Sequence, residues 1–496
     1  MNLTFSGWSG ILIMAIYGLI MLGIGFLTYF RNKGIHQSLD EYYLGGRGLG
    51  IMVLFFTFYA TQYSGNTIIG YAPNAYRLGY AWIQSITFFI LIIAGYLLFA
   101  PRLYVLSKKF KFVTPADWLE QRFRSKAVTI LAVVLMIYGL GNYLLEQLVA
   151  IGHGVAGLTG GTIPYQVAVV FFIVIMLIYS WLGGMRSVAY TDVMQGIALL
   201  AGVFILLIGS IVYFGGLPSS AAYMETYSPE KLGVPDGAGI MNWFSFLLLV
   251  GIGAAVYPHA IQRIFSAKSE RTLKRSLMQM AWVPFITSGL VFLVGIIGIS
   301  AFPNLDTADS EQLVGMMAST IAGEHVIFYW AMVILFGGII AAIISTADSA
   351  LLAFSSIISK DLYGRFIHKH APEKKKILVG KLAGIVAVGL LLIIAWNPPG
   401  TLYQIFVLKF ELLIQIAPAF ILGLYWPRLH RAAVFAGMLA GALTASTMAI
   451  VGVSPFGIHS GTWGLLLNVL ICVVGSFILN VSEADFKRSK EVIELY

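Results

Sequence analysis

Charged residues are scarce in this chain of 496 residues: 11% are Asp, Glu, Lys or Arg, whereas 59% are hydrophobic. Soluble domains carry about 25% charged residues, so the composition excludes a soluble fold and predicts an integral membrane protein in contact with the lipid bilayer. The net charge of +9 would suggest nucleic-acid binding in a soluble protein. In a chain this apolar we expect no nucleic-acid partner. The positions of the basic residues along the chain are more informative than the net charge.

Cysteine is almost absent, since Cys472 is the only one in the chain. A single thiol forms no intramolecular disulfide and builds no thiolate metal cluster. The chain also contains no G-x-S-x-G, H-E-x-x-H, C-x-x-C or Walker A pattern, which are the motifs of common catalytic and nucleotide sites. The sequence therefore predicts neither an enzyme nor a bound cofactor.

Long apolar runs, by contrast, recur through the whole chain. A helix of about 20 apolar residues crosses the roughly 30 Å of membrane hydrocarbon. Runs of this kind lie near residues 10–30, 50–76, 79–101, 127–151, 165–184, 189–214, 241–262, 276–302, 325–357, 377–396, 400–426, 432–453 and 461–481. We therefore predict an all-α membrane protein with about 13 transmembrane helices. The first run lacks a preceding basic segment and a cleavage motif, so it is predicted to be a helix rather than a signal peptide.

The basic residues are unevenly divided between alternate loops. All of the 31 except Arg77, Lys231 and Lys409 lie in one set of segments. These segments are 31–47, 102–126, 186, 263–275, 360–381, 428–431 and 487–490. By the positive-inside rule this set is cytoplasmic. We therefore predict an extracellular N-terminus and a cytoplasmic C-terminus, in what we expect to be a bacterial plasma membrane.

Two apolar runs are interrupted by residues that weaken a helix. The first contains "YATQYSGNTIIGYAP" at 59–73, and the second contains "VGIGAAVYPHAIQR" at 250–263. Unwound backbone is tolerated at membrane depth only where it lines a site, and paired interruptions are typical of secondary transporters built from inverted repeats. The alternative is a polar patch for helix packing, where Gly, Ser and Thr are also enriched.

Longer stretches resemble the sodium:solute symporter family, which includes pantothenate, proline, monocarboxylate, sialic acid and sodium-glucose carriers. The stretches are "SWLGGMRSVAYTDVMQG" at 180–196, "YPHAIQRIFSAKS" at 257–269, "AAIISTADSALLAFSSIISKDLY" at 341–363, and "AWNPPG" with "ILGLYWPR" within 395–428. The resemblance runs from about residue 10 to 480 and is closest to pantothenate permeases between the tenth and eleventh helices. It is more specific for the family than for the solute.

The resemblance implies a LeuT-like fold, which is a five-plus-five inverted repeat with two broken helices. We predict the first repeat at 50–214 and the second at 215–426. Residues 1–49 would supply one further helix and a cytoplasmic loop, and residues 427–496 two additional helices and a short cytoplasmic tail.

The family's common sodium site can be transferred onto this sequence. The resemblance implies as ligands the backbone carbonyls of Ala60, Tyr63 and Ala342 and the hydroxyls of Ser345 and Thr346. A hard cation of single charge is satisfied by about five oxygen dipoles, which this set supplies with little repulsion. In the alternative interpretation, the Ser-Thr pair bonds back to its own helical turn.

Ionisable residues within the apolar runs are costly and therefore indicate function. They are Glu146, Asp192, Asp348, Lys409 and Glu411. Asp192 matches an Asp that, in some carriers of the family, holds a second sodium together with hydroxyls at the positions of Ser345, Asp348 and Ser349. Because a carboxylate replaces one hydroxyl, we expect a second cation, sodium or a proton, between Asp192 and Asp348. Alternatively, Asp348 caps a kink or pairs with a distant base.

The predicted solute site combines polar and aromatic residues near the two breaks. They are Gln62, Ser64, Asn66, Gln147, Tyr257, His259 and Lys409. Gln62 stands where proline carriers have an Asp, so the negative charge of that Asp is missing here. By resemblance, Lys409 lies about one turn from a position where sugar carriers contact substrate. Its ammonium would suit a carboxylate, or it would balance Glu146 or Asp348 in a structural ion pair.

The sequence thus predicts a symporter that couples sodium entry to uptake of a small organic carboxylate by alternating access. The solute is expected to be anionic or zwitterionic, such as a monocarboxylate, a pantothenate-like acid or an amino acid. The alternatives are a transporter-derived sensor, a channel, or a proton-driven carrier of a solute without a carboxylate. A sensor would need a signalling domain, and a channel would show a continuous polar path rather than two broken helices.

Overall fold

The computed structural model describes residues 8–31 and 38–495, which form helices joined by short loops, with no β-strand in these ranges. The helices of the first half are α1 (Trp8–Arg31), α2 (Leu39–Leu44), α3 (Ile51–Gln62), α4 (Gly65–Ile69), α5 (Tyr71–Leu78), α6 (Phe88–Phe110), α7 (Pro115–Phe123), α8 (Lys126–Leu158), α9 (Tyr165–Phe214), α10 (Gly216–Tyr227) and α11 (Gly237–Ala255). Those of the second half are α12 (Pro258–Ser266), α13 (Glu270–Ala301), α14 (Thr307–Ser310), α15 (Leu313–Glu324), α16 (Val326–Ser356), α17 (Glu373–Ala395), α18 (Leu402–Leu413), α19 (Ala417–Tyr425), α20 (Arg431–Val451), α21 (Ser460–Ile478) and α22 (Glu483–Ile493). Short 3-10 segments lie at Gly45–Arg47, Gly79–Ile86, Pro229–Leu232, Ile414–Ile416 and Pro455–Gly457, and a π-helix continues α16 over Ile357–Ile367.

These helices account for the predicted membrane crossings. In the described ranges, 10 segments are long and apolar enough to span a membrane. Shorter apolar helices at Gly10–Gly23, Ile51–Gln62 and Tyr165–Ile178 complete the predicted set of thirteen. Only helices and closed barrels satisfy every backbone polar group in lipid, so an apolar chain of this length folds into a helix bundle. The predicted all-α membrane fold is confirmed.

Two apolar runs predicted as separate helices, 165–184 and 189–214, form one helical element, α9, with a sharp bend inside it. The bend is at Gly184, whose φ of 56° lies in the left-handed region. A Cβ at this position would lie 2.8 Å from the carbonyl oxygen of Tyr42. Glycine is therefore required here both for the backbone conformation and for the close approach of α2.

Both predicted helix breaks are present. The first separates α3 from α4, where Tyr63 has φ −103° and ψ 89°. The second separates α11 from α12, where Tyr257 has φ −54° and ψ 128° and Pro258 starts the next helix. Proline suits a helix start because its missing N–H would have no helical acceptor there. The breaks therefore leave unwound backbone within two membrane-spanning segments, as the LeuT-like fold requires.

Continuous helices surround the two breaks. The long helix α16 packs along α9, against α8, and against the two halves of the first broken helix, α3 and α4. On the opposite side, α18 packs against both α8 and α11. This arrangement places the breaks between α8, α16 and α18, in the buried centre of the bundle. The boundaries of the two repeats, 50–214 and 215–426, stay predictions.

The first testable prediction concerns a close contact that fixes the outer half of the first broken helix. A Cβ on Gly295 of α13 would lie 2.3 Å from the carbonyl oxygen of Ala72 in α5. Gly295→Ala should therefore destabilise the protein by about 1–3 kcal/mol through overpacking, measured as thermal unfolding in detergent. Gly389→Ala in α17 is the matched control, because its Cβ would meet nothing within 4 Å. An equal melting temperature for the two variants would contradict this packing.

Candidate sodium and solute site

The first break exposes backbone carbonyls that side chains of neighbouring helices bind. Because α3 ends at Gln62, the carbonyls of its last turn lack the amide partners of a continuing helix. Thr346 Oγ1 of α16 donates to the Ala60 carbonyl at 2.7 Å, and the Tyr143 hydroxyl of α8 donates to the Thr61 carbonyl at 2.8 Å. The break is thus held by two long helices that are remote in sequence.

The structure brings most of the predicted sodium ligands to one place. Thr346 contacts Ala60 directly, and Ala342 lies one turn before Thr346 on the same helix. Tyr63 lies at the break itself, three residues after Ala60. All of these residues are buried. Neutral, buried oxygen atoms from a helix break and a facing helix are a suitable donor set for a singly charged cation.

The two hydroxyls of the Ser-Thr pair bind other elements and not their own turn. Thr346 bonds to α3, and Ser345 Oγ donates to Asp192 Oδ1 at 2.6 Å. Thr57 Oγ1 donates to the other carboxylate oxygen of Asp192. The alternative in which this pair bonds back to its own helix therefore does not describe the geometry observed.

Asp348 lies beside this network with an unsatisfied oxygen. Ser180 donates to Asp348 Oδ1, whereas Asp348 Oδ2 is buried and has no hydrogen-bond partner among the described residues. Asp348 is also close enough to Asp192 for the two carboxylates to repel each other. An orphaned carboxylate oxygen inside a membrane protein is costly, and a cation bound between Asp192 and Asp348 would remove that cost.

Arg263 is a site residue that the sequence interpretation placed elsewhere. It was assigned to the cytoplasmic segment 263–275, but it lies on α12 and its side chain is fully buried. Its Nη2 donates to Ser349 Oγ, and its Nε donates to Thr57 Oγ1 at 3.3 Å. Pro258 is the sequence feature that could have indicated this burial. A helix that starts at this proline continues to Ser266 and therefore includes Arg263.

The buried guanidinium supplies a fixed positive charge to the network that contains Asp192 and Ser349. Arg263 interacts electrostatically with Asp192, and its Nη1 donates to the His259 carbonyl at 2.9 Å. The predicted second-cation residue Ser349 therefore accepts a bond from Arg263. Asp192, Ser345 and Ser349 belong to one connected network, to which Asp348 is adjacent.

A narrow cavity with about 10 Å³ of free volume lies between the two breaks. Its lining residues are Gln62, Ser64, Thr67, Phe88, Ile92, Tyr143, Val250, Ala254, Tyr257, Phe406, Lys409 and Phe410. Four predicted solute residues, Gln62, Ser64, Tyr257 and Lys409, thus line one cavity. The side chain of Asn66 lies outside the described residues.

Two other predicted solute residues are buried but do not line this cavity. His259 stacks on the ring of Tyr143, with centroids 5.0 Å apart, and on that of Tyr257 at 4.7 Å. Gln147 Nε2 reaches the Tyr143 carbonyl of its own helix at 3.5 Å. Both residues support the cavity wall through Tyr143.

Gln62 connects the two breaks. Its amide nitrogen donates to the Tyr96 hydroxyl and, at 3.2 Å, to the carbonyl of Ala254 at the end of α11. A carboxylate at this position would have no hydrogen to donate to that carbonyl. Gln62 therefore acts as a neutral bridge between the broken helices.

Lys409 forms an ion pair and lines the cavity at the same time. Its Nζ donates to Glu146 Oε2, and both side chains are almost completely buried. The nitrogen lies 4.1 Å from the ring centroid of Tyr143 and 4.4 Å from that of Phe406. The geometry is therefore compatible with both roles predicted for Lys409 from the sequence, contact with a solute carboxylate and a structural ion pair with Glu146. Glu411, in contrast, accepts a bond from the Gly461 amide, at the start of α21.

The C-terminal end of α16, continued by the π-helix, is joined to α7 by a second ionic cluster. Asp117 of α7 accepts from Lys360 at 2.5 Å and from Arg365 at 2.9 Å. Burial acts to raise the pKa of Asp117, but Lys360, the Thr114 amide and Arg365 outweigh burial and hold that pKa below its ordinary value. This cluster connects the helix that carries Ser345 and Thr346 to the short helix α7.

Comparison with known proteins assigns the family. A sequence model described as the sodium:solute symporter family matches residues 42–441. The chain belongs to the sodium:solute symporter family. This confirms the resemblance seen in the sequence motifs and identifies the chain as a membrane transporter and not an enzyme.

Two curated relatives and two solved structures are similar over most of their length. The sodium/pantothenate symporter of Escherichia coli (strain K12) is 28% identical over 476 residues, covering 94% of this chain and 96% of the relative. The osmoregulated proline transporter OpuE of Bacillus subtilis (strain 168) is 25% identical, covering 94% of each.

A Na⁺-coupled sialic acid symporter in a substrate-bound, outward-open state has a TM-score of 0.78 at 19% identity, covering 95% of this chain and 98% of that one. Mhp1, a nucleobase-cation-symport-1 family transporter in a closed conformation, has a TM-score of 0.54 at 15% identity, covering 91% and 98%. These two structures support the fold.

The second testable prediction concerns the buried guanidinium. Arg263→Gln would remove the positive charge that acts on Asp192 and the hydrogen bonds that Arg263 donates to Ser349 and Thr57. A buried acceptor left without its partner costs about 1–3 kcal/mol, and the loss of the charge adds to that cost. We expect a clear fall in the thermal unfolding temperature of the purified protein. Arg271→Gln on α13 is the control, because Arg271 is exposed and surface substitutions change stability by about 0.5 kcal/mol or less. Parental stability in Arg263→Gln would show that the network does not need this charge.

Proposed function

We propose that the protein is a symporter that couples sodium entry to the uptake of a small organic carboxylate by alternating access. The observation that carries this proposal is the ammonium of Lys409, which lines a buried cavity between the two helix breaks. A buried cation in a solute cavity favours an anionic group on the solute, because a charge-assisted hydrogen bond offsets its desolvation.

Sodium coupling is supported by the oxygen set around the first break. The carbonyls of Ala60, Tyr63 and Ala342 and the hydroxyls of Ser345 and Thr346 are neutral, as expected for a site that must bind and release a singly charged ion in every cycle. The relatives point the same way, since one is named a sodium/pantothenate symporter and another a sodium/proline symporter.

The chemistry of the relatives' named solutes agrees with a carboxylate. Pantothenate and proline both carry one carboxylate group, and proline carries an ammonium as well. The solute we propose is therefore a small metabolite with a single carboxylate.

Charge balance supports a second cation in the transport cycle. The charged side chains buried around the two breaks are Glu146, Asp192, Arg263, Asp348 and Lys409. With all of them ionised their net charge is −1, which one sodium neutralises. Binding of a carboxylate solute would return the net charge to −1, so we propose that a second sodium binds at Asp192, Asp348 and Ser349. The orphaned oxygen of Asp348 is the ligand that the second ion would use.

The orientation we propose follows from the basic residues, with the N-terminus outside and the C-terminus in the cytoplasm. The ion cluster of Asp117, Lys360 and Arg365 lies in segments assigned to the cytoplasmic side. Arg77, at the end of α5, pairs with Glu311 at 2.7 Å in a region assigned to the outside. Because the relatives are bacterial, we propose that this membrane is a bacterial plasma membrane.

Reconstitution into proteoliposomes tests the function directly. We expect an inward sodium gradient to drive accumulation of at least one labelled acid from a panel of lactate, pyruvate, pantothenate and proline. The same vesicles with potassium replacing sodium should not accumulate it. Accumulation driven by a proton gradient without sodium would refute sodium coupling, and failure to transport any acid of the panel would refute the proposed solute class.

The third prediction tests the sodium ligands. Thr346→Val removes a hydroxyl while keeping the side-chain shape, and losing one hydrogen-bonding ligand to a charged group is worth about 1.5 kcal/mol or more. We expect the sodium concentration for half-maximal uptake to rise about tenfold or more. Thr320→Val in α15 is the control, because the Thr320 hydroxyl bonds to the Met316 carbonyl of its own helix. An unchanged sodium dependence in Thr346→Val would remove Thr346 from the site.

A further inference from the structure

The ammonium of Lys409 lies inside a cage of aromatic rings. Its nitrogen is 4.1 Å from the ring centroid of Tyr143, 4.4 Å from Phe406, 5.1 Å from Phe410 and 5.7 Å from Tyr257. All four distances fall within the roughly 6 Å over which an aromatic face attracts a cation. Cages of this kind are also the means by which proteins recognise ammonium groups of ligands.

A carboxylate completes this ammonium site. Glu146 on α8 accepts a hydrogen bond from Lys409 and is itself buried. Glu146 lies one turn after Tyr143 on the same helix, so a single helix presents both an aromatic wall of the cage and its anion. Aromatic faces and a buried carboxylate together form a complete binding site for one ammonium group, and a side chain of the protein already fills it.

The rest of the cavity offers no comparable place for a second ammonium. The residues that line it, within the described part of the chain, include no Asp or Glu, and Lys409 is their only charged member. An ammonium on the solute would therefore lie near Lys409 in a poorly solvated space, where like charges repel strongly. A carboxylate on the solute meets the opposite situation, because the Lys409 ammonium has N–H groups beyond the one that it donates to Glu146.

We propose that Lys409 acts as a tethered cation that occupies the position of a solute ammonium, so that the cavity selects carboxylates without an ammonium group and rejects amino acids. Hydroxy acids, oxo acids and acids whose nitrogen is acylated belong to the accepted class. This inference rests on the proposed function, because it narrows the class of carboxylate that the symporter carries.

Matched pairs of acids test the selectivity. (S)-Lactate and L-alanine have the same carbon skeleton, as do 2-hydroxyisovalerate and L-valine, and each pair differs only in a hydroxyl or an ammonium at one carbon. In sodium-driven proteoliposomes, each hydroxy acid should be transported, or inhibit transport of a labelled acid, at a concentration at least tenfold lower than its amino acid. Equal potency within both pairs would overturn the inference.

Small ammonium ions test the cage without reference to the solute. Lys409→Ala keeps the aromatic rings and Glu146 but removes the tethered cation, so ethylammonium should bind in its place. We expect ethylammonium chloride to raise the thermal unfolding temperature of purified Lys409→Ala by about 2–4 °C, and sodium chloride at the same concentration to have a smaller effect. The wild type and the double variant Lys409→Ala/Glu146→Gln should not respond, because the first has a filled cage and the second has lost its anion. Stabilisation of all three proteins alike would overturn the inference.

A second variant covers the case in which Lys409→Ala does not fold. Lys409→Met/Glu146→Gln removes both charges together and fills the cage with an uncharged side chain, and such replacements of buried ion pairs are often tolerated. In this variant, the preference for the hydroxy acid over the amino acid should be at least tenfold smaller than in the wild type. A preference equal to that of the wild type would show that Lys409 does not set the selectivity.

The outcomes separate this inference from the proposed function. If the wild type transports no carboxylate with sodium, the proposed function is wrong, whereas rescue of Lys409→Ala by ethylammonium would still establish the tethered cation. If the wild type transports lactate and alanine equally well with sodium, the proposed function stands and the selectivity inference is wrong.

Discussion

The structure depends on satisfying unwound backbone at the centre of a membrane. No water is available there to replace the missing helical hydrogen bonds, so the carbonyls of Ala60 and Thr61 accept bonds from Thr346 and Tyr143. These contacts fix the distance between the first broken helix and the long helices α8 and α16. The residues that stabilise the break are therefore the ones that surround the candidate ion and solute sites, which links stability to function.

The buried charges are arranged as partners and not as isolated groups. Lys409 pairs with Glu146, and Arg263 is linked to Asp192 through Thr57, which accepts a bond from Arg263 and donates one to Asp192. Each cation lies in the predicted second repeat and each of these acids in the predicted first repeat. Asp348 differs, because one of its carboxylate oxygens is buried without a hydrogen-bond partner among the described residues. A buried carboxylate oxygen without a partner favours a bound cation.

The sequence predicted the all-α fold, both helix breaks and four residues of the solute cavity, because each of these leaves a local mark. Apolar length indicates a crossing, and Gly, Pro and polar residues within a run indicate a break. Arg263 was missed because its position in sequence, at the end of an apolar run, is typical of a cytoplasmic anchor. The helix that restarts at Pro258 carries Arg263 as a fully buried residue, and a linear pattern does not show that burial.

The amino-acid sequence by itself determined the membrane environment, the number of crossings and the family. These properties follow from composition, run length and motifs, which are local. The tertiary structure alone decided which charges are partners. Glu146 and Lys409 are separated by 263 positions, and Asp192 and Ser345 by 153. Such pairs form only when helix packing brings distant segments together, and the cost of burying a lone charge then selects the packing in which the partners meet.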